Sequence, residues 1–216
     1  MRSSGRGSDR SGDVLPRSFF DRSAVEVAPE LLGLWLYHGP TAVRIVEVEA
    51  YEPDDPASHS FIGPRPRTKS MFGPPGHLYV YRSYGIHWCA NVVCSRPGVG
   101  SAVLLRAGEP ITGEALMAER RSPMMATRML CSGPGKLCAA LAIGATHDGV
   151  DLCGRGSALR LVAPAGVDTA RGPAGWAPGH RDVVVTRRIG ISKAVDRPWR
   201  WLVASSPHVS PRTPRG

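Results

Sequence analysis

Glu47 and Glu49 stand two residues apart in the run Arg44-Ile45-Val46-Glu47-Val48-Glu49-Ala50-Tyr51, with an aromatic ring two residues further on. Apolar and polar residues alternate through this run, which predicts a half-buried strand with Glu47, Glu49 and Tyr51 on one face and Val46, Val48 and Ala50 on the other. Carboxylates at that spacing lie roughly 6–7 Å apart at Cα. One such group can activate a water or steady a developing cation, and a pair can divide acid and base roles. The plain structural alternative is a strand face turned to solvent.

A second cluster is aromatic. Tyr79, Tyr81 and Tyr84 fall within six residues, and Tyr84 precedes Gly85 at the tip of a predicted hairpin. Tyr79 and Tyr81 suit cross-strand pairs equally well. An aromatic at a turn tip buries poorly in its own core, and apolar side chains in such places act as wedges between stacked bases.

These residues need a scaffold. The 216-residue chain is long enough for one sizeable core, and no apolar run approaches the roughly 20 residues of a membrane span. Residues 1–16 are rich in Ser, Gly, Arg and Asp, without the apolar centre of a signal peptide. They read as a disordered tail on a cytoplasmic protein. Residues 17–204 then form the folded domain, and the Pro/Arg-rich end, 205–216, reads as frayed. Five cysteines (Cys89, Cys94, Cys131, Cys138, Cys153) without a CxxC spacing argue against zinc, other metals or a disulfide framework, and nothing calls for a cofactor. The formal charge of +9 favours a polyanionic partner. Because the basic residues are nearly all Arg, coding bias explains that charge as readily.

Asp21 or Ser23 is placed to cap a short helix reaching Leu31–Leu32 and closed by Gly33. Leu34–His38 and Ala42–Tyr51 read as paired strands across a His-Gly-Pro turn, followed by a long loop, Glu52–Pro75, that carries His59, Arg65, Arg67 and Lys69. His77–Tyr81 and Ile86–Cys94 form the tyrosine hairpin, and Ala102–Arg106 is a further strand. Glu109-Pro110 is expected to open a helix to about Arg120, and Ser132-Gly133-Pro134 to cap another through Ala142. Strands at Leu159–Val162, Asp182–Ile189 and Trp201–Ala204 complete the chain. Hairpins rather than strand–helix alternation predict an α+β domain: a curved, mostly antiparallel sheet flanked by short helices.

Several motifs in order resemble one family, the alkyladenine (3-methyladenine) DNA glycosylases, and its bacterial branch most closely. They are RIVEVEAY at Arg44–Tyr51, Ala57-Ser58-His59-Ser60, Met71 through Tyr81, Tyr84-Gly85, Asn91-Val92, Leu104 through Pro110, and Leu130 through Leu137. The resemblance runs from about Phe19 to Ser210. It implies a single-domain enzyme that grips double-stranded DNA, flips out a damaged purine and hydrolyses its N-glycosidic bond. By this resemblance Glu49 is the general base, Arg106 and the Val203 carbonyl help hold the water, and Glu47 is a support. Tyr51, His59 and Tyr81 form the base pocket, Tyr84 fills the vacated stack, and Asn91 disfavours guanine by crowding its 2-amino group. With no lysine at the matched pocket positions, the reading is of a monofunctional enzyme without Schiff-base chemistry. The partner is duplex DNA with damaged purines, there is no membrane partner, and the protein is a monomer in the cytoplasm, close to the nucleoid. Two other readings follow from the residues alone: a glycosidase or nucleoside hydrolase using both glutamates, and a noncatalytic module that binds distorted DNA.

Overall fold

The computed structural model describes residues 13–154, 156–164 and 182–211. Eight strands form one antiparallel sheet curled into a half-barrel, with short helices against it, so the chain is α+β as expected. The organising strand is β2 (Thr41–Tyr51). It pairs with β5 (Ser101–Thr112) along one edge, and with β1 (Trp35–His38) and then β8 (Arg200–Val203) along the other. A strand bonded on both edges holds its side chains rigidly. The hairpin of β3 (Leu78–Ser83) and β4 (His87–Cys94) extends the sheet beyond β5; β6 (Leu159–Val162) pairs with β1, and β7 (Val183–Thr186) with β8.

One face of β2 and its neighbours supplies the core: Val43, Ile45, Val48, Ala50, Val92, Val103 and Leu105 are all buried. Short α1 (Arg17–Phe20) and α2 (Ala24–Leu31) pack on this face. Ser23, not Asp21, caps α2: its hydroxyl accepts from the Glu26 N–H while the Glu26 carboxylate accepts from the Ser23 N–H, a reciprocal capping box.

Three expectations change. Glu109 and Pro110 do not open a helix but continue β5, where Arg44 and Glu109 form an ion pair across to β2. Pro110, without an N–H to donate, sits at a register shift between Ala42 and Val43 of β2, the kind of position a sheet tolerates for proline. The helix begins later, as α3 (Glu114–Arg121), after Gly113 turns the chain at φ 74°; a Cβ there would meet the Pro40 carbonyl at 2.7 Å. After the short α4 (Thr127–Leu130), Ser132 does not cap α5 (Pro134–Ala140): Gly133 holds the cap position with no side-chain bond, and Ser132 forms a bridge to Ala107.

The ends also differ. Val14 bridges to Val162 and Leu15 is buried in the core, so the fold begins before residue 17; the rest of that tail, residues 1–12, lies outside the described residues. The end, 205–216, is expected to fray; of it, residues 212–216 lie outside the described residues. Instead His208 and Ser210 are buried, and Ser210 is anchored on Glu47. The local sequence is polar and proline-rich, and contacts distant in sequence hold it: Ser210 on Glu47, and the Ser205 N–H on the Asp182 carboxylate at 2.9 Å.

Candidate active site

The face of β2 carrying Glu47, Glu49 and Tyr51 is not turned to solvent. Both glutamates have no exposed surface. Burying a carboxylate is costly unless donors meet it, and each glutamate has its own set. Glu47 accepts from Arg106 Nε (2.8 Å), Arg200 Nε (2.8 Å), Ser210 Oγ (2.6 Å) and the Ser210 N–H (2.6 Å). Burial alone would push its carboxyl up, but Arg106, Ser210 and Arg200 together hold it below the ordinary range. Glu49 accepts from the Ile189 N–H (2.8 Å) and the Tyr51 hydroxyl (2.9 Å), and pairs with Arg106 Nη1 (3.1 Å).

Strand register delivers Arg106 to both. Glu47 pairs with Ala107 and Val48 with Leu105, so the ladder skips Arg106 at a bulge. Bulges re-aim side chains in this way beside functional sites. Burial works against the Arg106 charge, but Glu49 and Glu47 outweigh it and raise the guanidinium above its usual range.

Above this cluster opens a cavity of about 790 Å³, within the roughly 300–1,000 Å³ typical of small-molecule sites. Tyr51, His59, Tyr81, Asn91 and Arg106 line it, which brings the expected pocket residues together. Glu49 itself lies just behind the wall; the three groups that hold it, Tyr51, Arg106 and Ile189, are wall residues. His59 meets the Tyr81 ring edge-on with centroids 4.6 Å apart, and its Nδ1 is 2.9 Å from the Tyr79 hydroxyl. Burial first, and Arg67 second, lower the His59 pKa from its ordinary 6.5, so the ring is a neutral imidazole at neutral pH. Asn91 donates to the Tyr79 carbonyl at 3.1 Å, which fixes its amide at the wall.

Tyr84 stands at the cavity rim, 88% exposed, at the tip of the β3–β4 hairpin. Its φ is 50° and that of Gly85 is 68°, the sign pattern that type I′ hairpin turns require. Glycine adopts it freely; a tyrosine there costs about 1 kcal/mol. A strained, solvent-exposed aromatic serves no purpose in the core.

Val203 is the expected site residue that falls elsewhere. Glu49 pairs with Arg200, three residues earlier on β8, while Val203 pairs with Val183 and its carbonyl accepts from the Ser206 N–H at 3.1 Å. The C-terminal segment reaches Glu47, through Ser210.

Sequence reading singled out Tyr79 without giving it a pocket role, and it missed Ile189, Arg188 and Arg200. Tyr79 carried a signal, its place two residues before Tyr81, and it now stacks on Tyr81 with centroids 5.5 Å apart. Ile189 acts through its backbone, which no side-chain pattern reveals. Arg188 and Arg200 were two among many arginines. Among the described residues, no lysine lines the cavity, no cluster of three or more His, Cys, Asp or Glu side chains is placed to hold a metal, and no helix is long and apolar enough to cross a membrane.

A buried carboxylate–arginine cluster beneath an aromatic cavity defines an enzyme site, and sequence comparison says of which kind. The methylpurine-DNA glycosylase profile matches residues 18–207. A protein of Agrobacterium fabrum is 50% identical over 196 residues, covering 91% of this chain and 92% of its own length. One from Burkholderia cenocepacia is 45% identical over 217 residues, covering 100% of both, and one from Frankia casuarinae is 47% identical over 199, covering 91% and 92%. All three bear the name "Putative 3-methyladenine DNA glycosylase". The chain belongs to the methylpurine-DNA glycosylase family. It is a DNA glycosylase, a hydrolase of DNA repair.

Proposed function

We propose that the enzyme flips an alkylated purine, 3-methyladenine among them, out of duplex DNA and hydrolyses its N-glycosidic bond with a water activated by Glu49. The observation that carries this reading is the placement of Glu49 directly behind a cavity walled by Tyr51, Tyr81 and His59, held by donors that belong to the same wall. Glu49 accepts the proton of the water as its oxygen bonds to C1′, and the C1′–N electron pair leaves with the purine. A carboxylate there also steadies the oxocarbenium-like sugar. An N3- or N7-alkylated purine departs neutral and needs no general acid. Arg106 orients the carboxylate.

The flipped base is held by stacking on Tyr51 and Tyr81 and by the polar edge of His59. Asn91 crowds the position that the 2-amino group of guanine would take. Tyr84 enters the vacated stack, which accounts for its exposure and its strained backbone. With no lysine in the cavity wall among the described residues, the product is an abasic site without strand cleavage. The protein acts as a cytoplasmic monomer. Glu47 is held by two arginines and Ser210 and stands outside the cavity wall, which argues against the two-carboxylate alternative.

The test is Glu49→Gln, assayed by single-turnover release of 3-methyladenine from methylated duplex. Release is expected to fall by about a thousandfold or more, while binding to damaged duplex is kept or improved. Unchanged release would remove Glu49 from the mechanism.

A further inference from the structure

Tyr51 is one end of a stack that runs away from the cavity. Arg188 Cζ lies 4.7 Å from the Tyr51 ring centroid and 5.4 Å from that of Trp199, and Arg197 Cζ lies 4.6 Å from Trp199. Consecutive aspartates after β2 act as counter-ions, Asp55 for Arg188 and Asp54 for Arg197. The Arg188 side chain is entirely buried, donates to the Ala50 carbonyl at 3.0 Å, and takes no part in the cavity wall. The Tyr51 face it covers is therefore the one turned away from the cavity.

An aromatic face attracts a cation through the ring quadrupole. A guanidinium already on one face raises the potential on the other, so the cavity face of Tyr51 attracts a cation less than a bare tyrosine does. The Asp55 carboxylate that pairs with Arg188 offsets this in part. For the reaction this matters in a specific direction. A cationic purine loses its charge as the bond to C1′ breaks, so cation–π attraction holds the ground state more tightly than the transition state, which lowers KM without raising the rate.

We propose that Arg188 is a specificity-determining residue: from behind Tyr51 it weakens the cavity's hold on cationic purines and brings neutral and cationic lesions closer in affinity. The inference rests on the reading that Tyr51 stacks on the flipped base. It concerns affinity, and Arg188 touches no reacting atom.

The experiment measures the half-saturating enzyme concentration in single-turnover reactions on duplexes carrying one 7-methylguanine (cationic) or one hypoxanthine (neutral). Three enzymes are compared: the unaltered protein, Arg188→Met combined with Asp55→Asn, which removes both charges, and Arg188→Lys, which keeps the cation. Comparing two lesions with one preparation cancels any loss of folded fraction. The double variant is expected to shift the affinity ratio toward 7-methylguanine by about fivefold, and Arg188→Lys to leave it within about twofold. An unchanged ratio in the double variant, or an equal shift with lysine, overturns the proposal. Glu49→Gln run alongside separates the two levels. If that variant still releases base, the stacking-and-hydrolysis reading fails and takes this inference with it; if it is inactive and the ratio does not move, Arg188 alone loses its role.

Discussion

Glu47 and Glu49 share a strand, a face, complete burial and a common partner in Arg106, yet their surroundings differ in one respect. Of the residues that donate to Glu47, Arg200 and Ser210 are buried and take no part in the cavity wall, and only the shared Arg106 reaches it. The donors to Glu49 belong to the cavity wall. A carboxylate enclosed on all sides can only hold structure together. One whose partners meet a ligand can exchange them when the ligand arrives. On the proposed reading, two identical side chains two positions apart receive opposite tasks because their partners differ in reach.

The sharpest test exchanges the two roles. Glu49→Gln should lose its activity while melting within a few degrees of the unaltered protein. Glu47→Ala should do the reverse in the first instance: it leaves Arg106 and Arg200 buried without their shared anion, a loss of about 3–5 kcal/mol, seen as a drop in melting temperature of roughly 10 °C or more. If Glu47→Ala melts normally, the cage around it is not structural and the contrast collapses.

A gentler probe is acid. The Glu47 carboxyl is held below its ordinary 4.5 in the folded protein. Its contribution to stability is therefore fully present above about pH 4.5 and is lost as pH falls through the lower folded value. Denaturant titrations from pH 6 downward should show stability falling in that acid range, and Glu47→Gln should flatten the slope. An identical slope in the variant would mean that other carboxylates carry the acid sensitivity.

The smallest effect extends the comparison to the hairpin tip, where function and stability should oppose each other. Tyr84→Asn places an Asn-Gly pair in a turn that demands positive φ at both positions. Chemical denaturation should show a gain of about 0.5–1 kcal/mol, with binding to lesion-containing duplex weakened more than binding to undamaged duplex. Equal weakening of both would count against a wedge, and a loss of stability would count against the strained turn.

Much of this was legible in the chain. Alternation gave the shared face of Glu47, Glu49 and Tyr51, and the Gly-bearing turn gave Tyr84 its tip. Ser23 with Glu26 carries the pattern of a helix start. Pro110 misled because a proline after an acidic residue reads as a helical first turn, and only the pairing partner shows that it sits at a bulge. Val203 was assigned by resemblance, and the strand that carries it was read one residue late; Arg200 is the residue of β8 that stands opposite Glu49, which is a matter of register.

What the sequence determined by itself is local, namely strand periodicity, turn chemistry and the supply of carboxylates, arginines and tyrosines, because these depend on residues within a few positions of one another. The tertiary structure alone decided which partners each glutamate meets. Arg200 and Ser210 reach Glu47 across sequence separations of 153 and 163 residues, and Ile189 reaches Glu49 across 140. A one-residue slip of β8 against β2 would turn Arg200 to the opposite face, and Ile189 and Ser210 lie outside the strands, so their meeting belongs to the whole fold and to no segment of it.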